Sequence, residues 1–142
     1  MIDAKSYLRQ VEKLDLRIQN KLIERQQWKD IALGITANIG GERVQASGSQ
    51  HKMADAIEKC VDMEGEINTL IDSLIEAKKD VIVTIEQLDN PTEYDILHKR
   101  YIQFLPLKGI AEQYRREYNW VTTTHGRALK NVQNIIDKKV KG

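Results

Sequence analysis

Four basic side chains and four uncharged hydrogen-bonding side chains are concentrated in a short C-terminal segment. The basic residues are Arg115, Arg116, Arg127 and Lys130. The uncharged residues are Tyr118, Asn119, Thr122 and Thr123. Guanidinium and ammonium groups suit anionic phosphates, whereas amides and hydroxyls can match the donors and acceptors on base edges. This combination predicts a nucleic-acid-binding surface.

The distribution of charge along the chain supports this prediction. Residues 115–142 carry seven Lys and Arg against two Asp and Glu, a net charge of +5. Residues 1–114 carry 15 against 19, a net charge of −4, so the total of +1 conceals the basic segment. A local basic patch on a mildly acidic body is an electrostatic footprint of nucleic-acid binding. Lys138, Lys139 and Lys141 have a second explanation, because cations stabilise the C-terminal end of a helix.

The other residues that could do chemistry are scattered. The three histidines are far apart and have no Cys or carboxylate at metal-ligand spacing: His51, His98 and His125. No zinc-protease, phosphate-loop, serine-hydrolase or dinucleotide motif occurs. Asp62, Glu64 and Glu66 are typical of the solvated face of a charged helix. We therefore expect a protein that is not an enzyme, with no catalytic residue, no metal site and no cofactor.

Three predicted helices position the basic segment. The first begins at Pro91 and ends before Pro106, the second covers Leu107–Tyr114, and the third covers residues 120–138. In the third helix, apolar residues and one histidine recur at spacings of three and four: Val121, His125, Ala128, Leu129, Val132, Ile135 and Ile136. This stripe predicts an inward face, with Trp120 packed beside Val121. The outward face then carries Asn119, Thr122, Thr123, Gly126, Arg127 and Lys130.

Several residues of the three predicted helices, taken in their order along the chain, resemble the promoter-reading fourth region of bacterial sigma factors. They are Leu97, Arg100-Tyr101, Ile110-Ala111, Val121 and Arg127-Ala128-Leu129. A longer stretch, from Arg43 (RVQASGSQHKM) through DMEGEI and HKRYIQF to WVTTTHGRAL, is similar to a family of small phage and prophage proteins. That family is sigma-region-4-like and is grouped with phage late-gene transcription activators. The resemblance implies a helix-turn-helix domain that binds DNA. Where such proteins usually have Ser or Thr as the helix cap, this chain has Glu117, so Asn119 is the expected substitute cap.

In this class of domain, the start of the second helix reads base edges in the major groove and flanking cations contact phosphates. The predicted base-reading residues are Tyr118, Asn119, Thr122 and Thr123, and the resemblance implies the same four positions. The predicted phosphate contacts are Arg115, Arg116, Arg127 and Lys130. We thus expect a phage-type transcriptional regulator that binds specific duplex DNA, and the sigma resemblance is compatible with direct contact to host RNA polymerase. The alternative is a phage adaptor or assembly protein that works through its N-terminal helices. Four cations against one acid, Glu117, in residues 115–130 favour DNA binding.

Two long helices are predicted before residue 90. The first has apolar residues at coiled-coil-like spacing: Tyr7, Val11, Leu14, Ile18, Leu22, Trp28, Ala32 and Ile35. The second has an apolar residue or Cys every seventh position, at Met53, Cys60, Ile67, Leu74, Val81 and Leu88. Ile57, Ile71 and Ile85 are the predicted partner positions of that stripe. Ile39–Gln50, with Gly40-Gly41 and Ser47-Gly48-Ser49, is the predicted loop between the two helices.

The predicted fold is all-α, with a long antiparallel coiled-coil-like hairpin in residues 1–89 and a helix-turn-helix domain in residues 90–142. The seven-residue stripe exceeds what the small domain can cover, which predicts a homodimer through the long helices. The single cysteine, Cys60, lies at an apolar helical position and is expected to pack as a small hydrophobic residue. No apolar run approaches membrane-spanning length and the N-terminus lacks the pattern of a signal peptide, so we expect no membrane partner and a location in the bacterial cytoplasm.

Overall fold

The computed structural model describes residues 2–34 and 50–141, and the backbone of residues 47–49. The described residues form helices joined by short turns, which confirms the predicted all-α class. The helices are α1 (Ala4–Ala32), α2 (Ser47–Ile85), α3 (Pro91–Leu97), α4 (Leu107–Tyr114) and α5 (Tyr118–Lys141), and a π-helical turn, His98–Ile102, continues α3. None of these helices combines the length and apolar composition needed to cross a membrane.

The long helices α1 and α2 pack together in opposite directions. The Nζ atom of Lys21 lies 3.1 Å from a carboxylate oxygen of Glu66, and a guanidinium nitrogen of Arg25 lies 3.0 Å from one of Glu64. The Cys60 thiol lies 3.8 Å from the Arg25 carbonyl oxygen. Residues that come later in α1 thus face residues that come earlier in α2. The predicted pairing of two long N-terminal helices is confirmed, and Cys60 is half-buried between them.

The residues by which α2 packs on α1 differ in part from the prediction. The predicted stripe is correct at its centre, where Ile67 and Val81 are buried and Cys60 and Leu74 are half-buried. Two of the predicted partner positions are wrong, because Ile57 and Ile71 are exposed. The third predicted partner position, Ile85, is buried as predicted. Buried or half-buried residues also repeat every seventh position, one residue before the predicted series: Ala56, Met63, Leu70, Ala77 and Thr84. The prediction is also wrong at the two ends of the stripe, since Met53 is exposed and Leu88 lies beyond the end of α2.

Helix α1 ends earlier than the predicted Gly40-Gly41 stop. After Ala32, the Leu33 amide donates to the carbonyl of Lys29, and Gly34 adopts a positive φ of 75°. A glycine in this left-handed conformation is a common helix terminator. The predicted stripe residue Ile35, the Gly40-Gly41 pair and most of the Ile39–Gln50 loop lie outside the described residues. The prediction is wrong for the last part of the Ile39–Gln50 loop, because α2 already begins at Ser47. Leu22, also predicted in the stripe of α1, is exposed.

The chain divides into two compact units. The first contains Met1–Lys13 and Leu74–Gly142, and the second contains Leu14–Ser73. The largest core cluster belongs to the first unit and combines apolar residues from α1, α2, the π-helical turn and α5: Leu8, Val11, Val81, Ile85, Leu97, Tyr101, Ala128 and Val132. Residues 4–11, predicted only as part of the hairpin, therefore share a core with residues of α5.

Helix α3 begins at a proline, as predicted. The Asn90 side-chain oxygen accepts from the amides of Thr92 at 2.9 Å and Glu93 at 3.2 Å. Pro91 occupies the first helical turn, where its missing N–H costs no hydrogen bond. Pro106 has an extended backbone and directly precedes α4. These two prolines set the limits of the segment that leads into α4 and the basic helix α5.

Candidate nucleic-acid interface

A three-residue turn, residues 115–117, joins α4 to α5. After Tyr114, Arg115 adopts a left-handed conformation with φ 55°, and its amide donates to the carbonyl of Glu112 at 3.2 Å. The amide of Arg116 donates to the carbonyl of Ala111 at 3.1 Å. Such bonds satisfy carbonyl groups that the end of a helix would otherwise leave unpaired. The backbone of both arginines is therefore fixed by the end of α4.

Helix α5 begins two residues before the predicted start at residue 120. The Trp120 amide donates to the carbonyl of Glu117 at 3.0 Å, and the helix begins at Tyr118. Asn119 lies inside the first turn, so its predicted role as the helix cap is wrong. Its backbone carbonyl accepts the hydroxyl of Thr122 at 3.1 Å. The Asn119 side chain is exposed and remains available for an external contact.

A compact apolar cluster lies beneath this turn. Its fully enclosed members come from α3, α4 and α5: Ile96, Ile110, Ala111 and Val121. Trp120 packs against the cluster and is half-buried, as predicted. The small side chain of Ala111 leaves room for a neighbouring helix to approach closely. This cluster fixes where α4, the turn and the first residues of α5 lie.

A chain of side-chain contacts leads from α3 to the turn. The hydroxyl of Tyr114 donates to the Asp95 carboxylate, which also accepts from Lys99 at 2.9 Å. The ring centres of Tyr114 and Trp120 are 5.3 Å apart, and the Arg116 guanidinium lies 4.3 Å from the Trp120 ring centre. Burial and the hydrogen bond to Asp95 raise the pKa of Tyr114 to about 12, so its hydroxyl stays a donor at neutral pH. Burial opposes ionisation of Asp95, but the bonds from Tyr114 and Lys99 outweigh it and lower its pKa.

The inward face of α5 follows the predicted stripe, and Val121, Ala128 and Val132 are fully buried. His125 is half-buried, with its Nε2 atom 2.8 Å from the Tyr101 hydroxyl and the two ring centres 5.7 Å apart. Burial, together with the charges of Lys5 and Arg100, lowers the pKa of His125 to about 4. The ring is thus neutral at pH 7. The prediction that His125 is a packed, hydrogen-bonded residue is confirmed.

Two polar contacts that the sequence pattern did not indicate join α5 to other segments, and a third satisfies a buried hydroxyl within the helix. The Asn131 amide donates to the buried Glu93 carboxylate at 2.7 Å. The backbone amide of Ala4 donates to the Gln133 side-chain oxygen at 2.7 Å. Thr124 is buried and donates its hydroxyl to the carbonyl four residues earlier at 2.8 Å. Each contact gives a hydrogen bond to a polar group whose burial without a partner would cost free energy of folding.

The predicted contact residues lie in the 115–117 turn and in residues 118–130 of α5. Seven of the eight side chains are exposed: Arg115, Arg116, Tyr118, Asn119, Thr123, Arg127 and Lys130. Thr122 is half-buried, and because its hydroxyl proton is donated within the helix, that hydroxyl can only accept from a ligand. Within the described part of the chain, none of the four cations forms an ion pair. Their charges are therefore open to an external anion.

Gly126 interrupts this surface near the middle of α5. A Cβ atom at this position would meet nothing within 4 Å. Glycine inside a helix costs about 1 kcal/mol relative to alanine. Packing within the described residues therefore does not require a glycine at this position.

Comparison with models of known protein families, with curated proteins and with solved structures found no match. The resemblance to sigma region 4 and to the phage family therefore stays a prediction from the residues that carry it. In the residues that the structure describes, no three His, Cys, Asp or Glu side chains are grouped so that they could hold a metal ion. The exposed groups of the turn and of residues 118–130 are cations, amides and hydroxyls, whose chemistry suits anions and hydrogen-bonding partners.

Proposed function

We propose that the turn and α5 bind duplex DNA with sequence specificity, and that the chain acts as a phage-type transcriptional regulator. The observation that carries this proposal is the outward surface of residues 115–130. It presents four exposed cations without an intramolecular ion pair, next to exposed amide and hydroxyl groups. Glu117 is the single acid in this segment. The helix-turn-helix arrangement of α4 and α5 is part of the same proposal.

The cations provide the sequence-independent part of the interaction. In this proposal Arg115 and Arg116 contact phosphates from the turn, while Arg127 and Lys130 contact them from farther along α5. The stacking of Arg116 on Trp120 restricts its side chain before DNA arrives. Such restriction lowers the conformational entropy lost on binding. Each phosphate contact releases condensed counterions, so binding should weaken as salt rises.

The first two turns of α5 provide the sequence-dependent part. An asparagine side chain can pair with adenine through two hydrogen bonds, which makes Asn119 the strongest candidate for reading a base. Thr123 offers a hydroxyl and a methyl group, and the methyl of Thr122 can contact thymine. Tyr118 is exposed at the first position of the helix. Gly126 would let the helix backbone approach the groove without a side chain between them.

A second candidate function is a phage adaptor or assembly protein. The observation that favours it is the set of exposed apolar residues on the long helices, including Ile31, Ile57 and Val61. Such residues are typical of surfaces that contact other proteins. Direct contact with host RNA polymerase, in the manner of a sigma factor, is compatible with the DNA-binding function. The two functions differ in what they require of residues 115–130, because DNA binding needs a basic surface there and an adaptor does not.

Selection from a random pool of duplexes tests the proposed function directly. The full chain is incubated with the pool at moderate salt, and bound duplexes are amplified and sequenced over several rounds. We expect a recurring sequence motif with one dominant core. The matched control replaces Arg115, Arg116, Arg127 and Lys130 with Ala and should retain no duplexes above background. Equal enrichment by both proteins, or no common motif, would contradict specific DNA binding through this surface.

A further inference from the structure

Helix α2 carries a second apolar stripe beside the one that packs on α1. Its members alternate at spacings of four and three residues: Ile57, Val61, Glu64, Asn68, Ile71 and Ile75. The four apolar members are 54, 62, 37 and 45% exposed, in that order along the chain. Spacing of this kind places all six side chains along one side of a helix. A helix with two adjacent stripes has residues suited to packing against two neighbours, and α1 covers only the first.

The second stripe is continuous with an apolar edge of α1. Leu33 from the end of α1 lines one shallow depression together with Ile57, Val61 and the half-buried Cys60. Leu33 is itself exposed. This surface therefore involves both helices of the hairpin, and it is wider than a row of isolated surface residues.

We propose that a second copy of this chain covers the stripe, with the two α2 helices antiparallel across a two-fold axis at residue 66. An antiparallel pair of identical helices places residues that are equally distant from the axis opposite each other. Val61 then faces Ile71 of the partner subunit, and Ile57 faces Ile75 of the partner subunit. At the centre, Glu64 faces Asn68 of the partner subunit. The stripe is thus complementary to its own reversed copy at every position.

The central polar pair determines the direction of packing. In the antiparallel dimer, the Asn68 amide of each subunit can donate to the Glu64 carboxylate of the other. Arg25, 3.0 Å from Glu64 in its own chain, supplies a balancing charge. In a parallel dimer, Glu64 would face Glu64 of the partner subunit, and two carboxylates in one interface repel each other. A single polar layer within an apolar stripe commonly fixes register and direction in this way.

This interface differs from the predicted dimer through Met53–Leu88, because the centre of that stripe packs within the chain. It is also independent of DNA binding, so each proposal can fail without the other. Measuring the association state of the full chain by sedimentation at micromolar concentration tests the dimer. We expect a dimer, and Val61→Asp should weaken its association at least ~100-fold, since the carboxylate would be buried against Ile71 of the partner subunit. Ile23→Asp is the matched control, because Ile23 is equally exposed, at 58%, but lies on α1 away from the depression.

A charge exchange tests the antiparallel register. Asn68→Glu alone should weaken the dimer, because it places two carboxylates opposite each other at both central positions. Combining it with Glu64→Asn should restore association, since each asparagine would again face a glutamate. Glu64→Asn alone distinguishes the two directions, because in a parallel dimer it removes the Glu64–Glu64 repulsion and should strengthen association, whereas in the antiparallel dimer it removes the acceptor of the Asn68 amide and should not. A wild-type chain that stays monomeric at ~100 µM, or a dimer unaffected by Val61→Asp, would overturn the proposal and leave the stripe for a different protein. Circular dichroism verifies that each variant keeps its helices, which is expected because the substituted side chains are exposed.

Discussion

The guanidinium of Arg116 lies over the indole ring of Trp120, 4.3 Å from the ring centre. Trp120 is held by the apolar cluster beneath the turn and by its contact with Tyr114. A cation placed over an indole ring is stabilised by about 0.5–1 kcal/mol at an exposed site. The position of Arg116 is thus coupled to the packing of α3, α4 and α5.

Because Arg116 stacks on Trp120, two substitutions can measure the effect of its charge and the effect of its orientation on DNA binding separately. Arg116→Ala should weaken DNA binding and reduce the slope of log K against log salt by about 0.9, the value for one lost phosphate contact. Trp120→Leu keeps the charge but removes the stacking, so it should weaken binding roughly threefold with an unchanged slope. Fluorescence anisotropy at several salt concentrations measures both quantities. Equal slopes for wild type and Arg116→Ala would exclude a phosphate contact by Arg116.

Replacing Arg127 and Lys130 together by Ala tests the outer part of α5. Binding to all duplexes should weaken alike, and the salt slope should fall by about 1.8, because two phosphate contacts are lost. The matched control is Lys78→Ala with Lys79→Ala, which removes two exposed cations from α2. That control should leave the slope unchanged. If both double variants change the slope equally, only the net charge of the protein matters and α5 is not the contact surface.

Asn119→Ala tests base reading. It should relax the preference at one or two base pairs of the selected motif by roughly 1–3 kcal/mol, the range for a good bidentate contact. Asn134→Ala is the control, because Asn134 is an exposed asparagine on the same helix four turns later. Competition with every single-base variant of the motif gives the comparison. An unchanged ranking of these variants with Asn119→Ala would rule out the proposed reading position.

Gly126→Ala separates stability from binding at one position. The free protein should gain up to about 1 kcal/mol in free energy of unfolding, because a Cβ meets no neighbouring atom and alanine favours the helix. DNA binding should weaken if the helix backbone lies close to the groove at this point. Gly65→Ala in α2, where a Cβ also meets nothing within 4 Å, should stabilise the protein without affecting DNA binding. Thermal unfolding and anisotropy together give both results, and unaltered DNA affinity of Gly126→Ala would argue against close approach.

The low pKa of His125 predicts a loss of stability in mild acid. Its pKa is about 4 in the folded protein against 6.5 for an ordinary histidine, so the unfolded chain binds a proton more readily. The free energy of unfolding should therefore be highest above pH 6.5 and should fall as pH decreases toward 4, by about 2 kcal/mol after allowing for solvent screening of a partly exposed ring. His125→Gln, which does not titrate, should show a smaller decrease over this interval. Urea unfolding at pH 7 and pH 4.5 measures the difference, and equal decreases in the two proteins would show that other groups are responsible.

The sequence by itself determined the helical segments and several of their limits. The periodicity of apolar residues identified the two long helices and the inward face of α5, because burial of one side of a helix requires that spacing. Pro91 and Pro106 marked the start of α3 and the break before α4, since proline restricts the backbone whatever surrounds it. The exposed positions of Arg127 and Lys130 followed from the same periodicity. These features depend on interactions between residues close together in the chain.

Where a helix has more than one face with apolar spacing, the tertiary structure decided which face packs against another helix. In α2, Met63 and Ile71 lie four residues before and four residues after the buried Ile67, and burial of Met63 rather than Ile71 came from the position of α1. The pairing of His125 with Tyr101 and the sharing of a core between residues 4–11 and α5 likewise join segments that are separated in sequence. Apolar spacing identifies a face that can be buried, but it does not name the neighbour that covers it. That neighbour depends on the three-dimensional arrangement of the whole unit.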